Sequence, residues 1–150
     1  MYQLIVEMSR GADCAGQARL FDEDRRLVAQ GWAVIGARPG FASVEPGQYA
    51  GLRVLQSLPP ARGVVAEFGS HAVVLRSLLH GELLMAHGGN LHEGGRVRPT
   101  AGSLRLEGAV MDALARRLWP RVSGSQRPPI ALKLDIGEPP SAWRFVSPRY

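Results

Sequence analysis

Only one stretch of this chain, Glu107 to Trp119, repeats its apolar residues at helical spacing, and that scarcity limits the fold more than any other feature. Val110, Leu114 and Leu118 recur every four residues with Met111 and Ala115 beside them, while Asp112, Arg116 and Arg117 fall on the wet face. Pro120 stops the helix. Everywhere else the apolar residues come in short runs cut apart by 18 glycines and 11 prolines. Such runs are too brief for independent helices, and their β-branched and aromatic content suits strands.

In chain order, Tyr2 to Met8 reads as a strand ended by Ser9, Gly11 and Asp13. Gln17 to Phe21 and Leu27 to Ile35 read as a hairpin about the polar turn Asp22 to Arg25, with Trp32, Val34 and Val28 forming the apolar face of its second arm. Gly36, Pro39, Gly40, Pro46 and Gly47 make Ala37 to Gln48 an irregular loop, which lacks the Gly-Lys-Ser/Thr ending of a phosphate loop. Tyr49 to Leu55 resumes as a strand, Leu52 and Val54 alternating with Gly51, Arg53 and Leu55, and Pro59-Pro60 ends it. Val64 to Phe68, Ala72 to Leu79 and Glu82 to Ala86 are further strands, with Gly81 turning the chain before the last. Ile130, Leu132, Leu134 and Ile136 alternate with Ala131, Lys133 and Asp135, and the proline-bearing tail from Gly137 to Tyr150 is irregular. Many short strands, one helix and no regular alternation of strand with helix predict a mostly β sandwich or barrel-like fold. Its 150 residues make one domain able to bury a core without disulfide or metal.

The charge pattern narrows the partners. The net charge is +5, carried by 17 arginines and the single lysine Lys133, with a pI of about 10.3. The arginines are scattered, without a run of five like charges, an aromatic-studded basic strand or zinc-finger spacing, so nucleic-acid binding is not expected. No apolar run is long enough to span a membrane. The start, Met-Tyr-Gln-Leu-Ile-Val-Glu-Met, lacks the pattern of a signal peptide. Cys14 is the only cysteine, which excludes an intrachain disulfide and a cysteine-cluster metal site.

Chemistry concentrates between Met85 and Leu106. An apolar run delivers His87 into the Gly-rich segment that begins at Gly88 and Gly89, and Thr100-Ala101-Gly102-Ser103-Leu104-Arg105 closes the excursion just before the helix. A candidate base and a candidate nucleophile thus stand at the two ends of one loop, sixteen positions apart, as in many nucleophilic sites carried on a rigid scaffold. Each residue also has an ordinary use: His87 can cap the loop, Ser103 can cap a turn or helix, and Arg105 can pair with Glu93 or Glu107 at the surface. His92 and Glu93 lack a third ligand at zinc spacing, and Gly102-Ser103 does not fit the Gly-x-Ser-x-Gly elbow.

His-Gly, a Gly-rich loop and Ser/Thr-x-Gly-Cys-x-Arg, with the two reacting residues about sixteen apart, is the signature of the L,D-transpeptidase catalytic domain, also called the YkuD domain, and this chain resembles it. The likeness extends to Pro46-Gly47-Gln48-Tyr49, similar to but one residue shorter than a Pro-x-Gly-x-Tyr/Phe segment that opens a strand in that family, and covers about Tyr2 to Ile136. The resemblance makes His87 the general base, Ser103 the occupant of the nucleophile position and Arg105 a supporting cation, with Gly102 the motif glycine. It further implies substrate contacts at Tyr49, Gly88, Thr100 and Leu104, and backbone donors from Gly102 to Leu104 for an oxyanion. Two positions depart: Ser103 stands where the family has cysteine, and Ala101 where many members have a second histidine. A thiol with a pKa near 8.5 is readily ionised by a neighbouring histidine, whereas a hydroxyl must lose its proton during attack. Three origins fit Ser103: a Cys→Ser replacement that silences the site, a serine variant that still acylates, and a chain that keeps the cleft only for binding.

The resemblance implies acyl transfer on the stem peptides of bacterial peptidoglycan, in which a terminal D-amino acid leaves and an amine or water accepts the acyl group, without metal or organic cofactor. It places the action in the periplasm or cell wall. Without a visible leader, delivery by secretion machinery as an antibacterial effector, with an immunity protein as partner, is the variant of this reading. The alternative class is an inactive module that binds cell-wall peptide or another protein.

Overall fold

The structure is a computed structural model that describes residues 1–7, 15–34, 44–56, 71–89, 92–93, 96–97, 103–118 and 132–137. In chain order its strands are β1 (Tyr2–Glu7), β2 (Ala15–Phe21), β3 (Leu27–Val34), β4 (Gly47–Gln56), β5 (His71–Ser77), β6 (Leu83–His87), β7 (His92–Glu93), β8 (Arg96–Val97) and β9 (Leu104–Leu106). Helix α1 (Gly108–Leu118) and strand β10 (Leu132–Gly137) follow. Eight strands close into a barrel in the order β1-β10-β4-β5-β6-β9-β3-β2, and β7 and β8 form a separate antiparallel pair. The chain is mostly β with one helix among the described residues, as the alternation of its apolar residues predicts.

Two-residue alternation sets the core. Tyr2, Leu4 and Val6 of β1 point inward beside Leu132, Leu134 and Ile136 of β10, their direct partners in a parallel register. Val110, Met111, Leu114 and Leu118 of α1 join the same hydrophobic cluster. The helix reaches β2, β3 and β5, and Asp112, Arg116 and Arg117 stay exposed as the helical periodicity requires. The other parallel pair in the barrel is β6 with β9. Parallel neighbours need a crossover of a dozen or more residues, and here the crossover is the segment between His87 and Ser103.

Four local expectations need correction. Trp32 does not lie on the buried face of the second hairpin arm: it is 57% exposed while Ala33 and Val34 are buried. Its partner across the ladder is the exposed Gln17, so the pleat turns the indole outward. Strand β4 begins at Gly47, inside the stretch expected to be loop, and a register shift between Gly51 and Arg53 interrupts its alternation. Tyr49 and Gly51 are buried in one phase and Val54 in the other, leaving Leu52 half-buried at the bulge. The strand expected to reach Leu79 stops at Ser77. Gly81, at φ 72°, closes a turn in which its N–H donates to the Ser77 carbonyl at 3.0 Å, and Leu78 and Leu79 are exposed on that turn. Val64 to Phe68 and the tail beyond Gly137 lie outside the described residues.

At the start of α1, Glu107 joins three elements. Its N–H donates to the Trp32 carbonyl at 2.9 Å, its side-chain Oε2 accepts from the Trp32 N–H at 2.7 Å, and its carbonyl accepts from Val110 and Met111. Gly31 makes this possible, since a Cβ there would run into the Glu107 carboxylate.

Candidate active site

Leu84 and Ala86 of β6 belong to the core, so the next residue, His87, faces the other side of the sheet. Leu104 and Leu106 of β9 do the same and set Arg105 on that opposite face. Register then aligns four side chains across four strands: Ala72 of β5 opposite His87, His87 opposite Arg105, and Arg105 opposite Val34 of β3. All four are fully buried, yet Ala72 and Val34 are not part of the barrel core. His87 and Arg105 therefore occupy a water-poor layer on the outer face of the barrel.

Ser103 enters this layer from the residue just before β9, two positions before Arg105 and so on the same face. It is 7% exposed. His87 Nε2 and Ser103 Oγ are 2.7 Å apart, within the distance expected of a base and the proton it removes. His87 Nδ1 lies 2.8 Å from the Gly88 carbonyl oxygen. A carbonyl can only accept, so Nδ1 carries the proton, Nε2 presents its lone pair, and the Ser103 hydroxyl donates to it. That is the tautomer a general base needs. The orienting group is a main-chain carbonyl, where the familiar serine triads have a carboxylate.

The electrostatics favour neutral imidazole. Burial, and secondarily the Arg105 cation, lower the His87 pKa from 6.5 to about 4, against an upward pull from the Gly88 carbonyl. The same cation that repels an imidazolium favours an anion at position 103 or on a substrate oxygen nearby. The fully buried Arg105 is thus no solvated surface charge, and Glu107, one of its expected partners, is engaged with Trp32.

The structure brings His87, Gly88, Ser103 and Arg105 together. Gly88 is buried and serves through its carbonyl, a main-chain role that residue type does not reveal. The Leu104 side chain is in the core, so only its backbone can face the site. Tyr49 is not brought there. It pairs with Ser77 at one end of β5 whereas His87 pairs with Ala72 at the other, its ring lies in the core, and its hydroxyl donates to the Glu45 carbonyl at 2.7 Å. Strand β4 reaches the level of His87 with Leu55 instead. Thr100, Ala101 and Gly102 lie outside the described residues, as do the side chains of His92 and Glu93. Among the described residues, no cluster of His, Cys, Asp and Glu is arranged to hold a metal, and no helix is long and apolar enough to cross a membrane.

Neither a protein-family model nor a curated protein matches this sequence. Among solved structures, that of Bdellovibrio bacteriovorus Bd1075 is similar, with a TM-score of 0.55 and 14% sequence identity over 89% of this chain and 47% of that one. This chain spans about half the length of that protein, and a likeness at such identity shows a shared fold.

Proposed function

We propose that this domain is an acyl-transfer site of the L,D-transpeptidase kind, working on peptidoglycan stem peptides at the cell wall, with position 103 as nucleophile and His87 as base. The observation that carries the reading is the 2.7 Å contact of a lone-pair-bearing His87 Nε2 with the Ser103 hydroxyl, held by a protonated Nδ1 on the Gly88 carbonyl. In this scheme the position-103 atom attacks the carbonyl between an L-centre and a D-residue, and its proton passes to Nε2. The tetrahedral oxyanion is met by backbone donors at the turn and by the field of Arg105. His87 returns the proton to the departing amine of the D-amino acid, and an amine or water then takes the acyl group.

A base of pKa about 4, oriented by a neutral carbonyl, is poorly matched to a hydroxyl and much better matched to a thiol, whose anion Arg105 also favours. We therefore read the serine form as slow, and the same observation favours stem-peptide binding without turnover as the second reading for the chain as it stands. Delivery by secretion machinery, with an immunity protein as partner, belongs to the same proposal. The test is Ser103→Cys incubated with tetrapeptide muropeptides. Release of a terminal D-amino acid and a covalent carbapenem adduct by mass spectrometry are expected. A folded Ser103→Cys protein that yields neither product nor adduct would overturn the catalytic reading.

A further inference from the structure

A groove enclosing about 390 Å³ runs between β3 and α1, away from the His87–Ser103 pair. Its lining among the described residues is Val28, Ala29 and Gln30 of β3 with Ala109, Ala113, Arg116 and Arg117 of α1, cationic along the helix and with no acidic residue among them. The helix contributes one face, since residues 109, 113, 116 and 117 recur at helical spacing. Among the described residues, the strand contributes an open edge. β2 pairs with β3 along its whole length, but on the other side β9 pairs only with Ala33 and Val34 before the chain turns into α1. Trp32 directs both its N–H and its carbonyl to that side, where Glu107 takes them. Two residues earlier in the pleat, Gln30 directs its own N–H and carbonyl the same way, toward the groove. An open strand edge is a template for another strand.

We propose that this groove receives an extended, acidic peptide segment of a partner protein, which adds to β3 at Gln30 and sets its carboxylates against Arg116 and Arg117. Charge complementarity selects the occupant: Arg116 and Arg117, the charged residues of this lining, are both exposed cations. The nearby carboxylates are Asp112, exposed one helical turn before Arg116, and Asp22, Glu23 and Asp24 of the turn that leads into β3, where Arg25 and Arg26 stand beside them. Small side chains at Ala109 and Ala113 leave room for a backbone to approach the helix. Glu107 blocks the edge at Trp32 and so fixes where an added strand must stop. Carboxylates gain more from arginine than from lysine here, because the planar guanidinium can grip both oxygens.

The test uses the full chain and a fluorescein-labelled hexapeptide that alternates valine with glutamate, read by anisotropy at low salt and by amide chemical shifts. Saturable binding is expected, with the Gln30 amide among the largest shifts and with at least tenfold weaker binding for Arg116→Glu/Arg117→Glu, whose sites are exposed and whose unchanged melting temperature would show an intact fold. A peptide of the same charge with N-methylated backbone amides should also bind at least tenfold more weakly. Equal binding of the N-methylated peptide would reduce the site to a charge effect and overturn strand addition. No binding of the acidic peptide, or binding only to anionic vesicles, would overturn the proposal outright. None of these readouts depends on catalysis at Ser103.

Discussion

The His87 environment makes a prediction that needs no substrate. Its pKa falls from 6.5 to about 4 on folding, chiefly because burial disfavours the charged ring. Above pH 6.5 both states are neutral at this residue and the penalty is absent. As the pH falls from 6.5 toward 4, the unfolded chain binds a proton that the folded chain refuses, so stability is lost across that window and levels off below it. At 1.36 kcal/mol per unit the loss is about 3 kcal/mol, a large part of the 5–15 kcal/mol typical of a small domain. The assay is urea unfolding at half-unit steps from pH 7.5 to 3.5, for the parent chain and for His87→Asn. The variant is expected to be about 1–3 kcal/mol weaker at pH 7, because the Ser103 and Gly88 contacts are impaired, but to lack the additional acid loss between pH 6.5 and 4. Carboxylates titrate in both chains and cancel in the difference. Parallel stability curves for the two chains would show that His87 is not held neutral by burial, and the electrostatic account of the site would fall with it.

Further outcomes follow from the neighbours of His87. Removing the buried charge with Arg105→Met should raise the His87 pKa toward 6.5, since Arg105 is one of the two causes that depress it, and an NMR titration of the imidazole carbons would detect this; an unmoved or lower pKa would contradict the assignment. In the Ser103→Cys background, Arg105→Lys should lower turnover about tenfold or more, because lysine is a point charge without the rigid fork of arginine; normal turnover would remove Arg105 from the site. Gly31→Ala should cost about 1–3 kcal/mol in urea unfolding, because the new Cβ displaces the Glu107 carboxylate from the Trp32 N–H; a neutral effect would mean that this junction does not pin α1 to β3.

What could be read ahead of the structure was what depends on neighbours in sequence. The inward set Leu132, Leu134 and Ile136 and the apolar stripe Val110, Leu114 and Leu118 are buried as their spacings predict, because alternation and helical period are properties of a few consecutive residues. Trp32 was misplaced for the complementary reason: on a strand the pleat decides which way a ring points, and the deciding partners, Gln17 in β2 and Glu107 before α1, are remote in sequence. The bulge in β4 had the same effect on Leu52.

The His87–Ser103 pair was legible from the residues of the motif and their spacing, and the fold accommodates that spacing. His87 ends β6, Ser103 precedes β9, and two adjacent parallel strands require a crossover of about this length, so a sixteen-residue separation returns the chain to the side of the strand it left. The layer beneath the pair was not legible. Ala72, His87, Arg105 and Val34 share one row only because β5, β6, β9 and β3 are adjacent in a particular register, two of those contacts being antiparallel and one parallel. Sequence spacing can therefore propose which two side chains meet, but the proton affinity of His87 and the burial of Arg105 are set by that row, and with them whether the proposed chemistry at position 103 suits a hydroxyl or a thiol.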